Sequence, residues 1–258
     1  MKYLEKWPFV TALIISGLVA VALKCQLAAI STPDFTKITE VSERKSRFLS
    51  YMYQQVKEVN EVVYWERVKL LKLANKSSLD FSERLFVRNL AHEYNLSKSL
   101  KTTADLKAVM ALLVIRVDQI PPALILAQAA NESAWGTSRF ARQANNYFGI
   151  WCFSKGCGLV PKKRSSGKIH EVRYFNSAKD SVTYYVKLIN SHRTYRELRE
   201  IRASTPATAM KNSANKLATA LGGYSERGED YIKDLLALIR FNKLNEKYPF
   251  SSLSELTP

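Results

Sequence analysis

Glu132 is the one acidic side chain between Asp118 and Glu171, and it stands among aromatic residues: Trp135, Phe140, Tyr147, Phe148, Trp151 and Phe153. A carboxyl with apolar neighbours is disfavoured as an anion, so it holds its proton to higher pH. The helical pattern of ALILAQAANESAW puts Glu132 near a helix C-terminus, where the macrodipole disfavours negative charge further. A protonated carboxyl at the edge of an aromatic cleft is equipped to protonate a departing oxygen, the first requirement of glycoside hydrolysis. Arg139 and Arg142 would oppose the shift if they came close. An exposed helix-end glutamate without chemistry is the competing reading.

Other reactive side chains are few. Cys152 and Cys157 flank the turn-like segment CFSKGC, and in an oxidising compartment such a pair forms a disulfide. A zinc pair is the rival reading, but with His92, His170 and His192 as the chain's three histidines it lacks a four-ligand set. No metal and no cofactor is expected.

These residues need elements to place them. Pro121 and Pro122 open the helix that carries Glu132, and Gly136 suits the position just past its end. A short helix from Thr137 or Ser138 leads to Asn145 and Asn146. The aromatic and glycine-rich stretch from Tyr147 to Phe175, with the turn RSSGK, reads as a β-hairpin. Helices resume after Ser177, whose Ser-Ala-Lys-Asp pattern suits an N-cap, and run to about Ser191. Thr205-Pro206 starts another helix, Gly222-Gly223 ends it, and a last one spans about Glu229 to Leu244. Upstream, helical periodicity predicts one or two long amphipathic helices over Phe35 to Leu73, then helices over Phe81 to Tyr94 and Ala104 to Val117 with Thr103 as N-cap. They read as a spacer or packing platform.

With 258 residues, 47% of them hydrophobic and 24% charged, the chain can bury a core, which excludes wholesale disorder. Its net charge of +16 favours an anionic partner. The cations are spread along the chain without a recognition helix or RNA-binding signature, so nucleic acid is not expected. Lys2 and Lys6 precede an apolar run from Phe9 to Leu23, closed by Lys24, which reads as a signal sequence or a short membrane anchor. Export to the periplasm follows, with the inner membrane as a partner if the segment is retained. Cys25 after Lys24 does not fit a lipoprotein signal.

The segment AQAANESAWGTSRFARQANNYFGIWC resembles the active-site region of glycoside hydrolase family 73, the bacterial endo-β-N-acetylglucosaminidases. Its marks are an alanine-rich helix, Glu-Ser-x-Trp-Gly, then Asn-x-Phe-Gly. Within that family the chain is most similar to the Bax-type glucosaminidases of Gram-negative bacteria. The resemblance implies a mainly α (α+β), lysozyme-like helical domain with a small β-hairpin lobe, preceded by a helical extension. The expected organisation is signal or anchor at 1–30, helical extension at 31–110, catalytic domain at 111–245 and a tail at 246–258. It also implies cleavage of peptidoglycan glycan strands after N-acetylglucosamine; a muramidase or lytic transglycosylase and a noncatalytic wall-binding scaffold are the alternatives.

By the same resemblance Glu132 fills the general-acid position, with Ser133, Trp135 and Gly136 completing its motif, and Ser133, Trp135, Asn146, Tyr147, Trp151 and Tyr231 form the candidate substrate-binding set. Asn146, Tyr147, Phe148 and Gly149 match the base of the β-lobe. Tyr147 and Trp151 are sugar-stacking candidates, with hydrophobic packing as the competing role. Leu-Gly-Gly-Tyr, ending at Tyr224, and Tyr231 resemble the family's tyrosine stretch, Tyr224 being the choice for the cleft and Tyr231 the one expected to pack. Many relatives carry a second catalytic glutamate on the first hairpin strand, where this chain has Lys162, Lys163 and Arg164. Glu171, on the returning strand, is then either a substitute base or a surface residue. Without a second carboxylate, the substrate's own 2-acetamido group would be the nucleophile.

Overall fold

The computed structural model describes residues 32–96, 103–162, 164, 167–206, 209 and 213–250. The apolar run Phe9–Leu23, Cys25, Lys163 and the last eight residues of the tail lie outside them. Among the described residues no helix is long and apolar enough to cross a membrane.

After a 3-10 turn at Phe35–Lys37, helix α1 runs unbroken from Val41 to Ala74, so one helix spans the region where one or two were expected. Its 34 residues reach about 50 Å at 1.5 Å per residue. Phe48, Met52, Val56, Val59, Val63 and Leu70 recur at helical spacing and form its buried stripe. Helix α2 (Phe81–Glu93) starts with a capping box between Asp80 and Glu83. Helix α3 (Thr103–Arg116) includes Thr103 as its first residue instead of following it.

Helix α4 (Pro122–Ser133) carries the candidate acid and is the centre of the molecule. Every residue from Pro122 to Ala130 is buried, which explains why ALILAQAA has no polar face. The segment leading into it is fixed from two sides. Asn60 of α1 donates to Ile120 O at 2.8 Å and accepts from Ile120 N at 3.2 Å, while Arg67 donates to Val114 O and Val117 O. From the other side the buried Arg202 donates to Ile115 O and pairs with Asp118 at 3.5 Å. A buried cation retained in this way depends on its partners, since removing one leaves the charge uncompensated.

Helix α5 (Arg139–Ala144) is N-capped by Ser138, and the strands follow: β1 (Trp151–Cys152), β2 (Gly158–Leu159) and β3 (Glu171–Arg173). They form a three-stranded antiparallel sheet in the order β1-β3-β2, not the single hairpin expected. The disulfide Cys152–Cys157 closes the loop between β1 and β2, and β3 lies between these two strands, antiparallel to both. Gly158 is required there, because a Cβ would lie 2.0 Å from Val172 O. Lys162 and Arg164 follow β2 in a turn and are not on a strand.

Helix α6 (Ala178–Ser191) begins at Ser177, whose Oγ accepts from Asp180 N at 3.1 Å as its pattern predicts. Helix α7 (Arg196–Ser204) was not anticipated: Thr205 and Pro206 end a helix where the sequence suggested a beginning. Its cation-rich sequence, RELREIRAS, hides a narrow buried face of Leu198, Arg199 and Arg202. Helix α8 (Ser213–Ala218), a 3-10 turn at Thr219–Tyr224, α9 (Glu229–Phe241) and α10 (Leu244–Lys247) complete the chain, with the expected last helix stopping three residues early. The described residues from Asp34 onward share one hydrophobic core, in which α1 packs on α3, α4 and α6. Mainly helical with one small sheet, the protein has the lysozyme-like class expected of it.

Candidate active site

Glu132 is the penultimate residue of α4 and half-buried. Burial pushes its carboxyl above the usual carboxylate range; the Tyr231 hydroxyl, the Asn131 amide and the Arg227 guanidinium oppose this without cancelling it. Arg227, not Arg139 or Arg142, is the cation that bears on it.

Beneath the carboxyl runs a directional chain of hydrogen bonds. The Tyr185 hydroxyl donates to Gln128 Oε1, Gln128 Nε2 donates to the Tyr231 oxygen at 2.9 Å, and the Tyr231 hydroxyl bonds to Glu132. Gln128 precedes Glu132 by four residues and shares its helix face, so this contributor could have been found from spacing. Tyr185 could not, because α6 meets α4 only through the tertiary fold.

Around that chain the rings interlock. Tyr224 stacks on Tyr231 at 5.6 Å, Phe148 stacks on Tyr185 at 4.2 Å, and the Tyr224 hydroxyl donates to Phe148 O at 2.7 Å. Burial lifts the tyrosine hydroxyls, Tyr195 up to about 12, so they remain neutral donors at any physiological pH. Tyr224 therefore borders the site while tying the Phe148 backbone to α9's edge. Tyr231, 1% exposed, packs as expected but also holds the acid; it has no surface with which to touch substrate.

The chain turns sharply after Glu132. Ala134, Trp135 and Gly136 all have positive φ (49°, 59° and 78°), and this left-handed turn is stapled by Ser133, whose Oγ donates to Ala129 O at 2.6 Å and accepts from Gly136 N at 2.8 Å. Ser133 is wholly buried, which removes it from the substrate-binding set. The helix thus ends at Ser133 with Ala134 as its C-cap, two residues before the glycine expected just past its end. Gly136 is required because a Cβ would fall 2.4 Å from Phe35 Cδ2. Trp135 packs edge-on against Phe48 at 5.9 Å with Lys45 over its ring, so it shapes the site from behind. Phe35, Lys45 and Phe48 all come from the N-terminal extension, a contribution with no signal in the catalytic motif.

Opposite the acid lies Gly149, where a Cβ would stand 3.4 Å from Glu132 Oε2. Asn146 sets this loop: its amide donates to Ile150 O and Arg173 O, both at 2.9 Å, while its oxygen accepts from Phe148 N and Ile150 N. With every polar atom committed and 1% exposure, Asn146 cannot also bind substrate. Tyr147 is likewise interior, its ring against Phe48, and the packing role prevails over sugar stacking. Trp151 differs, being 52% exposed with one face on His170 at 4.0 Å and the other free for a ligand.

Glu171 is not a surface residue: it is buried, and its two oxygens accept from Gly156 N at 3.1 Å and Gly158 N at 2.9 Å. Those amides hold its carboxyl below the usual range. It lies within 4.8 Å of the sulfurs of Cys152 and Cys157, which are joined as the expected disulfide.

A half-buried acid on the central helix of a mainly α, lysozyme-like fold, facing a small aromatic β-lobe, fits the glycoside hydrolase class. Residues 110–244 match the glucosaminidase family, described as mannosyl-glycoprotein endo-beta-N-acetylglucosaminidase. The chain is also similar to protein bax of Escherichia coli (strain K12), with 32% identity over 213 residues, which cover 83% of this chain and 75% of that one. The protein therefore belongs to the glucosaminidase family, and within it to the Bax type. No solved structure matches it.

Proposed function

We propose that the protein hydrolyses the β-1,4 bond after N-acetylglucosamine in peptidoglycan, in the periplasm, with Glu132 as general acid. The observation that carries this is the raised, half-buried Glu132 carboxyl held by Tyr231 and facing Gly149. A carboxyl that burial keeps protonated to higher pH than a free glutamate can deliver its proton to the glycosidic oxygen as the bond to C1 breaks. The disulfide and the N-terminal apolar run support an exported protein, whether anchored or released.

We assign Glu171 to shape and not to base catalysis, since both its oxygens are spent on the disulfide loop. Lys162 and Arg164 occupy the stretch in which relatives carry a second carboxylate. The nucleophile is then the substrate's 2-acetamido oxygen, which attacks C1 as the protonated sugar departs and closes an oxazolinium ring. Water, deprotonated by the now ionised Glu132, reopens that ring at C1 and returns the proton, with net retention.

The test is digestion of purified peptidoglycan by the full chain and by Glu132→Gln, with new chain ends identified by mass spectrometry. Reducing N-acetylglucosamine ends, reduced about 10²- to 10⁴-fold in the variant, are expected. Reducing or anhydro muramic ends would move the bond assignment to a muramidase or transglycosylase. Binding without new ends would leave a wall-binding scaffold.

A further inference from the structure

The positive charge of this protein is not evenly placed. Between Arg139 and Arg173 there are eight lysines and arginines and one carboxylate, a surplus of seven out of the chain's sixteen. The one carboxylate, Glu171, points inward and is held by backbone amides. Among the described cations here, Arg139, Lys155, Lys162, Arg164, Lys168 and Arg173 form no salt bridge. Arg139 and Arg164 are instead steadied by backbone carbonyls, of Val160 at 2.6 Å and of His170 at 3.2 Å. Their guanidinium charges are thus oriented without being neutralised.

The surplus has a shaped recess. A depression of about 390 Å³ is walled by Arg139 and Phe140 on one side and Pro161 and Lys162 on the other. Both walls border the lobe that follows the acid: α5 comes after the acid's turn and packs against β2 and β3, and Pro161 and Lys162 follow β2, a strand of the same sheet that β1 joins two residues after Gly149. An apolar floor between two cations, Arg139 held by a carbonyl and Lys162 exposed, fits a short acidic peptide, with carboxylates for the cations and aliphatic carbons for Phe140 and Pro161.

We propose that this face of the β-lobe binds the acidic stem peptides borne by muramic acid, so that the enzyme selects peptide-bearing glycan over glycan stripped of peptide. The inference rests on the proposed peptidoglycan substrate and deepens it. The sugar chain runs past Glu132 and Trp151 while the peptide lies against Arg139 and Lys162. Lys162 is exposed and makes no structural hydrogen bond, so its charge can be removed without disturbing the lobe.

The experiment measures affinity by calorimetry, and rate where cutting occurs, on soluble glycan strands with stem peptides and on the same strands after amidase treatment, at low and at 0.5 M salt (about a 4 Å screening length). Full chain, Lys162→Gln, Lys162→Arg and the remote control Lys107→Gln are compared. The expected result is about ten-fold preference for peptide-bearing strands at low salt, lost at high salt. Lys162→Gln should lower it about two- to five-fold, Lys162→Arg should restore it, and Lys107→Gln should leave it unchanged. Equal affinity for both strands, an equal loss on both in Lys162→Gln, or tighter binding to phosphatidylglycerol vesicles than to peptide-bearing strands would overturn the proposal. Preferential binding without any cutting supports it while removing the hydrolase reading; cutting without preference does the reverse.

Discussion

Replacing Gly136 by alanine sets two independent costs on one methyl group. At φ 78° an L residue is strained, by about 1–2 kcal/mol. The new Cβ would also lie 2.4 Å from Phe35 Cδ2, 2.9 Å from Phe35 Cε2 and 3.0 Å from Phe48 Cδ2, in a part of the core where both rings are fully buried. Overpacking of this kind costs about 1–3 kcal/mol. The sum, about 2–5 kcal/mol, corresponds to a Tm loss of roughly 5–20 °C in a domain of this size. Thermal and urea unfolding followed by circular dichroism measure it.

A double-mutant cycle with Phe35→Ala separates the parts. In that background the clash is gone and Gly136→Ala should cost only the backbone term, a coupling of about 1–3 kcal/mol. Equal costs in both backgrounds would refute the contact between the extension and the catalytic motif, and no cost in either would refute the left-handed turn. Activity should fall alongside stability, because Gly136 N is anchored to Ser133, next to the acid.

Glu132→Gln should raise stability at neutral pH while lowering activity about 10²- to 10⁴-fold. Burial lifts the folded pKa of Glu132 above its unfolded value, so the glutamate's stabilising contribution is present below the unfolded value and is lost as pH rises through the folded one. The variant is expected to melt higher than the parent at pH 7 and no higher at pH 4; equal shifts at both pH values would contradict the burial argument. Glu171 has the opposite sign: amide hydrogen bonds lower its pKa, so its contribution is present at neutral pH and disappears as pH falls below the usual carboxylate range. Protection of the Gly156 and Gly158 amides, taken relative to the intrinsic exchange rate at each pH, should fall on acidification in the parent and stay constant in Glu171→Gln. Trp151→Ala should raise KM by roughly two- to ten-fold, for about 0.5–1.5 kcal/mol of stacking, with Tm nearly unchanged because the ring is half exposed; an unchanged KM would remove Trp151 from the sugar path.

Much of this protein is local and therefore legible in its sequence. Apolar periodicity marks α1, α2 and α3, Pro122 marks the start of α4, Ser177 caps α6, and the lone carboxyl among aromatics singles out Glu132. The pairing of Cys152 with Cys157 follows from their closeness in the chain. What the sequence could not decide were roles set by packing between distant elements. Ser133, Asn146 and Tyr147 carry motif positions yet spend their polar atoms or rings inside the protein, and burial, which no motif encodes, turns them from ligands into supports. Helix α7 hid behind its charge because two buried arginines, normally a surface signal, are satisfied by carbonyls of other elements, those of Arg199 just upstream and those of Arg202 far away in sequence. The strand order was lost for a related reason: it is set by which strands pair in the folded sheet, whereas period-2 patterning says only that strands exist. The acid itself was readable, but the Tyr185–Gln128–Tyr231 chain that holds it joins three helices, and only the folded core brings their hydroxyls and amide into line.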